Sequence, residues 1–226
     1  AERLSRVGAV GSAILDGHAT DRLDSFGVGI ALDGMSRQAM HGLPVSALPR
    51  ETQPALAVSG CACLLRMEAL RDVGLFDEAF FAYCEDTDLS LRLCRAGWDI
   101  VVTPEARVTH HYSLTAGAFS LQKVFWVERN HYWVAAKNFP VLLLLAVPLV
   151  TLWRYVVQVY AVLTGAGSLH RFLPRGRKGS LIAQLLLAQV EAMVGMPAKI
   201  VARAAFRPPR RRGSAPSPNS PGRPPR

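Results

Sequence analysis

The chain has 226 residues, 26 Lys and Arg against 17 Asp and Glu, and a pI near 9.9, a length that suits one domain plus an appendage. The charge is uneven: residues 1–140 carry a net −3, whereas residues 141–226, whose only acid is Glu191, carry a net +12. The basic character therefore belongs to the C-terminal part, and it excludes reading the first 140 residues as an electrostatic partner of polyanions.

In chain order, residues 7–15 and 25–34 alternate short apolar runs with glycine, and predict short strands with turns at Asp16-Gly17 and Asp33-Gly34. Residues 57–67, AVSGCACLLRM, predict a buried strand broken at Ser59-Gly60. Residues 66–73 read as a short helix stopped by Gly74. Residues 85–96 read as a helix with acids in its first turn and Arg92 and Arg95 near its end, closed by Gly97, in accord with the helix dipole. A strand over 98–103 is expected to end at Pro104, with a further strand, RVT, over 107–109 before His110. Residues 120–138 predict a long helix with Phe125, Trp126, Trp133 and Val134 on its apolar faces.

Composition changes at Pro140. Residues 141–163 are almost continuously apolar, interrupted by Arg154 and Gln158 and carrying Pro148; about 20 such residues can span a bilayer. A second apolar stretch, 181–206, contains Gln184, Gln189, Glu191 and Lys199. Arg171, Arg175, Arg177 and Lys178 lie between the two. If both stretches crossed, Glu191 would sit in hydrocarbon, and one crossing would put this basic cluster opposite an acidic cytosolic domain, against the positive-inside tendency. The preferred expectation is helices lying in the interface, apolar face down, with the cations on anionic head groups; the alternatives are helices that complete a soluble core and a hairpin that spans the membrane. Residues 207–226, rich in Pro, Ser and Arg, are expected to be disordered.

The four cysteines, Cys61, Cys63, Cys84 and Cys94, form no C-x-x-C pair and are read as reduced thiols without a zinc site. Cys84, beside Glu85, reads as a packed apolar residue rather than a nucleophile. The chain begins at Ala1 with no secretion-signal pattern, and the expectation is a piece of a longer protein.

The densest chemistry lies in residues 76–93, FDEAFFAYCEDTDLSLRL. Acids beside aromatics can bind a sugar hydroxyl and remove its proton. Around this segment stand Ser59-Gly60, LLRMEAL (64–70), GLFDEAFFAYCEDTDLSLRLCRAGW (74–98), PEARVTHH (104–111) and ERN…KNFP (128–140). In this order and spacing they resemble the C-terminal half of a family 2 glycosyltransferase, closest to the bacterial rhamnosyltransferase-like enzymes of cell-surface polysaccharide assembly, over about residues 7–140.

The resemblance implies an α/β fold: the C-terminal part of a GT-A type domain (1–140), followed by apolar membrane-associated helices (141–206) and a disordered basic tail (207–226). It implies inverting transfer from a nucleotide-sugar donor to a saccharide or lipid-linked saccharide acceptor, at the cytoplasmic face of the cell membrane. Asp86 is the implied general base, since a sugar hydroxyl is a poor nucleophile without one. Glu85 is its partner, or exchanges roles with it. Asp88 is expected as a first-turn or capping acid. Ser59 and Gly60 lie where the strand edge approaches substrate, Gly60 permitting close approach or marking a bulge. Asp77 contacts the acceptor or braces its loop; Phe81, like Phe80 and Tyr83, stacks on sugar or packs. Arg129 contacts phosphate or a carboxylate, or pins its helix to the domain through Glu128. His110, with His111 as alternative, is the implied third ligand of a divalent metal, Mg2+ or Mn2+, otherwise held by an Asp-x-Asp motif.

That motif and the nucleotide-binding half are absent; Asp16, Asp21, Asp24 and Asp33 include no such pair. The piece alone is therefore expected to be inactive. Two other readings are a non-catalytic membrane-surface or scaffold element, binding anionic lipid or a partner through the basic C-terminal region, and non-specific nucleic-acid binding by the Arg-rich tail. The latter ranks last, because no folded nucleic-acid module accompanies the tail.

Overall fold

The computed structural model describes residues 6–111, 120–164 and 178–207. The cations Arg171, Arg175 and Arg177 and the tail from residue 208 onward lie outside these residues. The strands are β1 (Val7–Asp16), β2 (Leu23–Phe26), β3 (Val28–Ile30), β4 (Ser36–Gln38), β5 (Gln53–Pro54), β6 (Cys63–Leu65) and β7 (Asp99–His110). The helices are α1 (Met67–Val73), α2 (Glu85–Arg95), α3 (Leu121–Asn138), α4 (Val141–Leu163) and α5 (Lys178–Ala205).

β1 is the spine of a five-stranded sheet ordered β2-β1-β7-β5. It runs parallel to β7, while β2 pairs antiparallel with its second half and β6 with its first. β3 and β4 form a separate hairpin. The sheet supplies Ala9, Ala13, Phe26, Ile100 and Val102 to the main core, and α1 and α2 cover it with Leu70, Val73, Leu89 and Leu93. Leu89 and Leu93 are four residues apart on α2, so they share one face and are both buried; each contributes about 1.5–3 kcal/mol by burial. Gly74 (φ +81°) and Gly97 (φ +83°) end α1 and α2 in conformations that side chains with a Cβ rarely adopt.

Three expectations change. The run 57–67 is not one buried strand: Ala57 and Val58 are buried, Ala57 making a single bridge to Val28, the chain then turns through Ser59–Ala62, and Cys63–Leu65 pairs with β1, with Leu64 72% exposed. Apolar composition alone could not separate a buried strand from a buried approach to a turn. The strand at Trp98 does not end at Pro104 but continues to His110; the register with β1 jumps from Ser12↔Thr103 to Ala13↔Arg107, so Pro104 sits in a bulge where no ladder bond is lost. Asp88 is not a cap. It is fully buried and joined to Arg92, Lys137 and Asn138.

The C-terminal helices are not a separate layer. α5 lies along α3, where Gly195 allows close approach: a Cβ there would fall 2.4 Å from Trp133. Trp133 donates to Ala192 O, Arg129 to Glu191, Lys199 to Asp77, and Arg203 to the carbonyls of Ala136 and Phe139. α4 turns Val147, Thr151, Arg154 and Tyr155, a helical stripe, toward the domain. Arg154 makes a bidentate pair with Glu128 (2.8 Å each) and a third bond to Asp33 (2.8 Å). Both helices keep an apolar outer face, including Leu142, Leu145, Leu149, Trp153, Leu186, Val190, Met193 and Val194.

Candidate active site

The site is built on the entry to α2. Phe81, Tyr83 and Cys84 all have positive φ (63°, 68° and 68°), three non-glycine residues within four positions. Ala82 N–H bonds to Phe80 O across two residues, which makes Phe81 (φ 63°, ψ −65°) the centre of a γ-turn of the rare, strained type. Such conformations persist only where the surroundings over-determine them. Here α3 does so. Asn130, fully buried, shares its amide hydrogens among the carbonyls of Phe80 (3.0 Å), Ala82 (2.8 Å) and Tyr83 (2.7 Å). Arg129 adds bonds to Ala79 and Phe80 carbonyls from beneath.

The strained loop delivers Glu85 to a cavity of about 520 Å³ lined by Gly60, Phe76, Asp77, Glu78, Phe81 and Glu85, and Asp86 stands next to it, bonded to Gly60 of the wall. Asp86 is fixed by two backbone donors, Gly60 N–H to Oδ2 (2.8 Å) and Thr87 N–H to Oδ1 (2.7 Å). The Thr87 hydroxyl reaches the same Oδ1 (3.3 Å) and lies 2.7 Å from Ser36 Oγ. Glu85 is the opposite case. Its Oε2 is buried without a hydrogen-bond partner among the described residues, and burial, then the charge of Asp86, push its pKa up. The pair thus holds one oriented carboxylate beside one proton-avid carboxyl group with a free acceptor.

The other expected site residues fall into distinct places. Gly60 acts through its N–H on Asp86. Ser59 Oγ accepts from Cys61 N–H and closes the turn. Phe81 is 74% exposed on the cavity wall, 4.9 Å from the Trp126 ring, whereas Phe80 is core, edge-on to Trp133. Asp77 lines the cavity but braces the loop: it caps Ala79 and accepts from Lys137 and Lys199, both at 2.8 Å. Burial opposes its ionisation, but the hydrogen bonds from the two lysines prevail and bring its pKa to about 2. Arg129 does not reach the cleft or pair with Glu128; it bonds Glu191 and the loop carbonyls and stacks on Trp133 (4.3 Å). Cys84 is buried, its thiol pushed up to about 12 by burial, which rules out a thiolate nucleophile.

His110 ends β7 with Nδ1 2.9 Å from Asp24 Oδ2. The turn after Ser59 runs between this pair and Asp86: burial and Asp24 raise the Cys61 thiol, burial and Asp86 raise that of Cys63. Among the described residues no three His, Cys, Asp or Glu side chains converge as metal ligands. These residues therefore do not make a metal site by themselves, and no step is assigned to a metal. Sequence reasoning missed Thr87, Asp24 and the loop-holding role of Asn130. Asn130 stood inside the ERN segment, but its partners lie about fifty positions away.

Residues 33–195 match the family model described as glycosyl transferase family group 2. Over 65 residues the chain is 45% identical to the N-acetylglucosaminyl-diphospho-decaprenol L-rhamnosyltransferase of Mycobacterium tuberculosis, covering 29% of this chain and 21% of that protein. Over 143 residues it is 29% identical to the O-antigen biosynthesis protein RfbC of Myxococcus xanthus, covering 59% of this chain and 11% of that protein. The chain thus matches only a minor part of the length of these curated relatives. The crystal structure of GalNAc-T7 with UDP, GalNAc and Mn2+ has a TM-score of 0.39 and 16% identity, covering 58% of this chain and 29% of that one.

Proposed function

The chain belongs to glycosyl transferase family group 2, its α/β domain being of the GT-A type, and we propose that it serves an inverting sugar transfer in polysaccharide or glycolipid synthesis. A nucleotide-sugar is the donor, and a saccharide or lipid-linked saccharide hydroxyl is the acceptor. Asp86 takes the hydroxyl proton as the acceptor oxygen attacks the anomeric carbon. The new C–O bond forms on the face opposite the departing nucleoside diphosphate, which leaves with the electron pair of the broken bond. Glu85 hydrogen-bonds the acceptor, and Phe81 forms an apolar wall for a sugar ring. Rhamnosyl transfer is the subgroup reading, supported by the activity named for the mycobacterial relative.

The observation that carries this reading is the Asp86 carboxylate, fixed by two backbone donors, one of them Gly60 on the wall of the 520 Å³ cavity, since a positioned base contributes about 10²–10⁴-fold to such a step. Full-length protein should transfer label from one of a panel of nucleotide-sugars to a lipid diphospho-saccharide. Asp86→Asn should abolish transfer in a protein that still folds, with a modest fall in melting temperature because the amide keeps one acceptor oxygen for the two backbone donors. Wild-type turnover by Asp86→Asn would overturn the assignment of the base.

The membrane part of the proposal is that α4 and α5 rest in the interface at the cytoplasmic face rather than cross it. By length and composition, 141–161 and 179–205 could each span. However, α5 is bonded to the domain from Glu191 to Arg203. The stretch before Glu191 is about 20 Å long at 1.5 Å per residue, short of a hydrocarbon core of roughly 30 Å, and it too is held, with Leu181 and Ala188 buried and Gln189 donating to Tyr155 of α4.

A further inference from the structure

On the far side of the 74–78 loop lies a second cavity, of about 220 Å³, whose walls come from α1, α2, α3 and α5. Its lining includes Arg92, Arg95, Lys137 and Arg203 against one carboxylate, Asp77. Lys137 and Arg92 are neutralised by Asp77 and by the buried Asp88. Arg95 and Arg203 are not: among the described residues neither has an acidic partner. Each commits one nitrogen, Nη1, to the end of α3, Arg95 to Lys137 O and the Asn138 side chain, Arg203 to the carbonyls of Ala136 and Phe139. Their remaining N–H groups have no protein partner among the described residues. Phe206 lies 4.6 Å from the Arg95 guanidinium and limits where it points. Burial and then the charge of Arg203 lower the pKa of Arg95, Asp88 opposing and Arg92 adding to the shift.

Two forked, uncompensated guanidinium groups beside a cavity of this size match the geometry of a phosphoryl group, whose oxygens accept paired N–H bonds. We propose that this cavity is a binding site for a phosphate or diphosphate group, held by Arg95 and Arg203. The proposal goes beyond the transferase reading and does not depend on it. α5 supplies Ala202, Arg203 and Phe206 to the cavity and carries the exposed apolar residues Ile200 and Val201 beside it, so a lipid phosphate has direct access. A free phosphate shares the same chemistry.

Titration of the purified protein with inorganic pyrophosphate by calorimetry, and co-sedimentation with phosphatidic acid or phosphatidylcholine vesicles, separate the two sources. Paired Arg95→Gln and Arg203→Gln should weaken binding by about tenfold or more, a change of at least about 1.4 kcal/mol. Ala202→Glu places an acid on the wall without removing a native hydrogen bond, and should act the same way if the paired variant misfolds. Loss of pyrophosphate binding in these variants supports a free-phosphate site. Loss confined to phosphatidic acid vesicles, with phosphatidylcholine unaffected, supports a lipid phosphate. Binding of both probes at wild-type strength in folded variants, or of neither probe to the wild type, overturns the proposal.

Discussion

Glu85 and Asp86 are consecutive in the chain, yet their surroundings separate them. Asp86 accepts two backbone N–H bonds, which orient it and hold it at the cavity. Glu85 has a buried oxygen with no donor among the described residues, and burial raises its pKa. A carboxyl group whose folded pKa lies above its unfolded value destabilises the fold where both states are ionised, and this cost disappears as pH falls through the folded value. Glu85→Gln should therefore raise the melting temperature at pH 7, and the gain should shrink on acidification toward pH 4. An unchanged or lowered melting temperature at pH 7 would contradict the environment described. The acid pair itself was legible in sequence. Which acid is oriented and which is orphaned was not, because the deciding donor, Gly60 N–H, lies 26 positions away.

At the scale of elements, the site depends on a strained loop clamped by a helix. The γ-turn at Phe81 and the left-handed Tyr83 and Cys84 cost on the order of 1–3 kcal/mol each, and Asn130 and Arg129 compensate by satisfying four carbonyls in residues 79–83. Asn130→Ala leaves those carbonyls buried without that donor. It should destabilise the protein by about 3 kcal/mol and lower turnover by up to about 10²-fold through misplacement of Asp86, read by denaturant unfolding and by kcat. Destabilisation without loss of turnover would separate the clamp from the site. The helix over 85–96 and its closure by Gly97 were readable from caps, charges and apolar spacing, all of which are local. The strand through Pro104 was not, because a bulge is tolerated only where the partner strand permits it.

For the molecule as a whole, the C-terminal helices join the domain through charge: Arg154 to Glu128 and Asp33, Lys199 to Asp77, Glu191 to Arg129. The charged residues that interrupt the two apolar stretches, Arg154, Glu191 and Lys199, are therefore ligands of the domain, and the outer faces remain apolar. Helices of this kind should release from membranes in alkaline carbonate and leave no protected fragment after proteolysis of sealed vesicles; a protected fragment of about 20 residues would show a true crossing. By itself the sequence determined the α/β class, the family, the acid pair and the change of character at Pro140, because these rest on local patterning and motif order. Only the tertiary structure decided which carboxylate is oriented, what holds the strained loop, and which way the apolar helices face. Each of those outcomes depends on hydrogen bonds and ion pairs between residues tens of positions apart, as with Gly60 and Asp86 or Lys199 and Asp77, whose pairing no local pattern records.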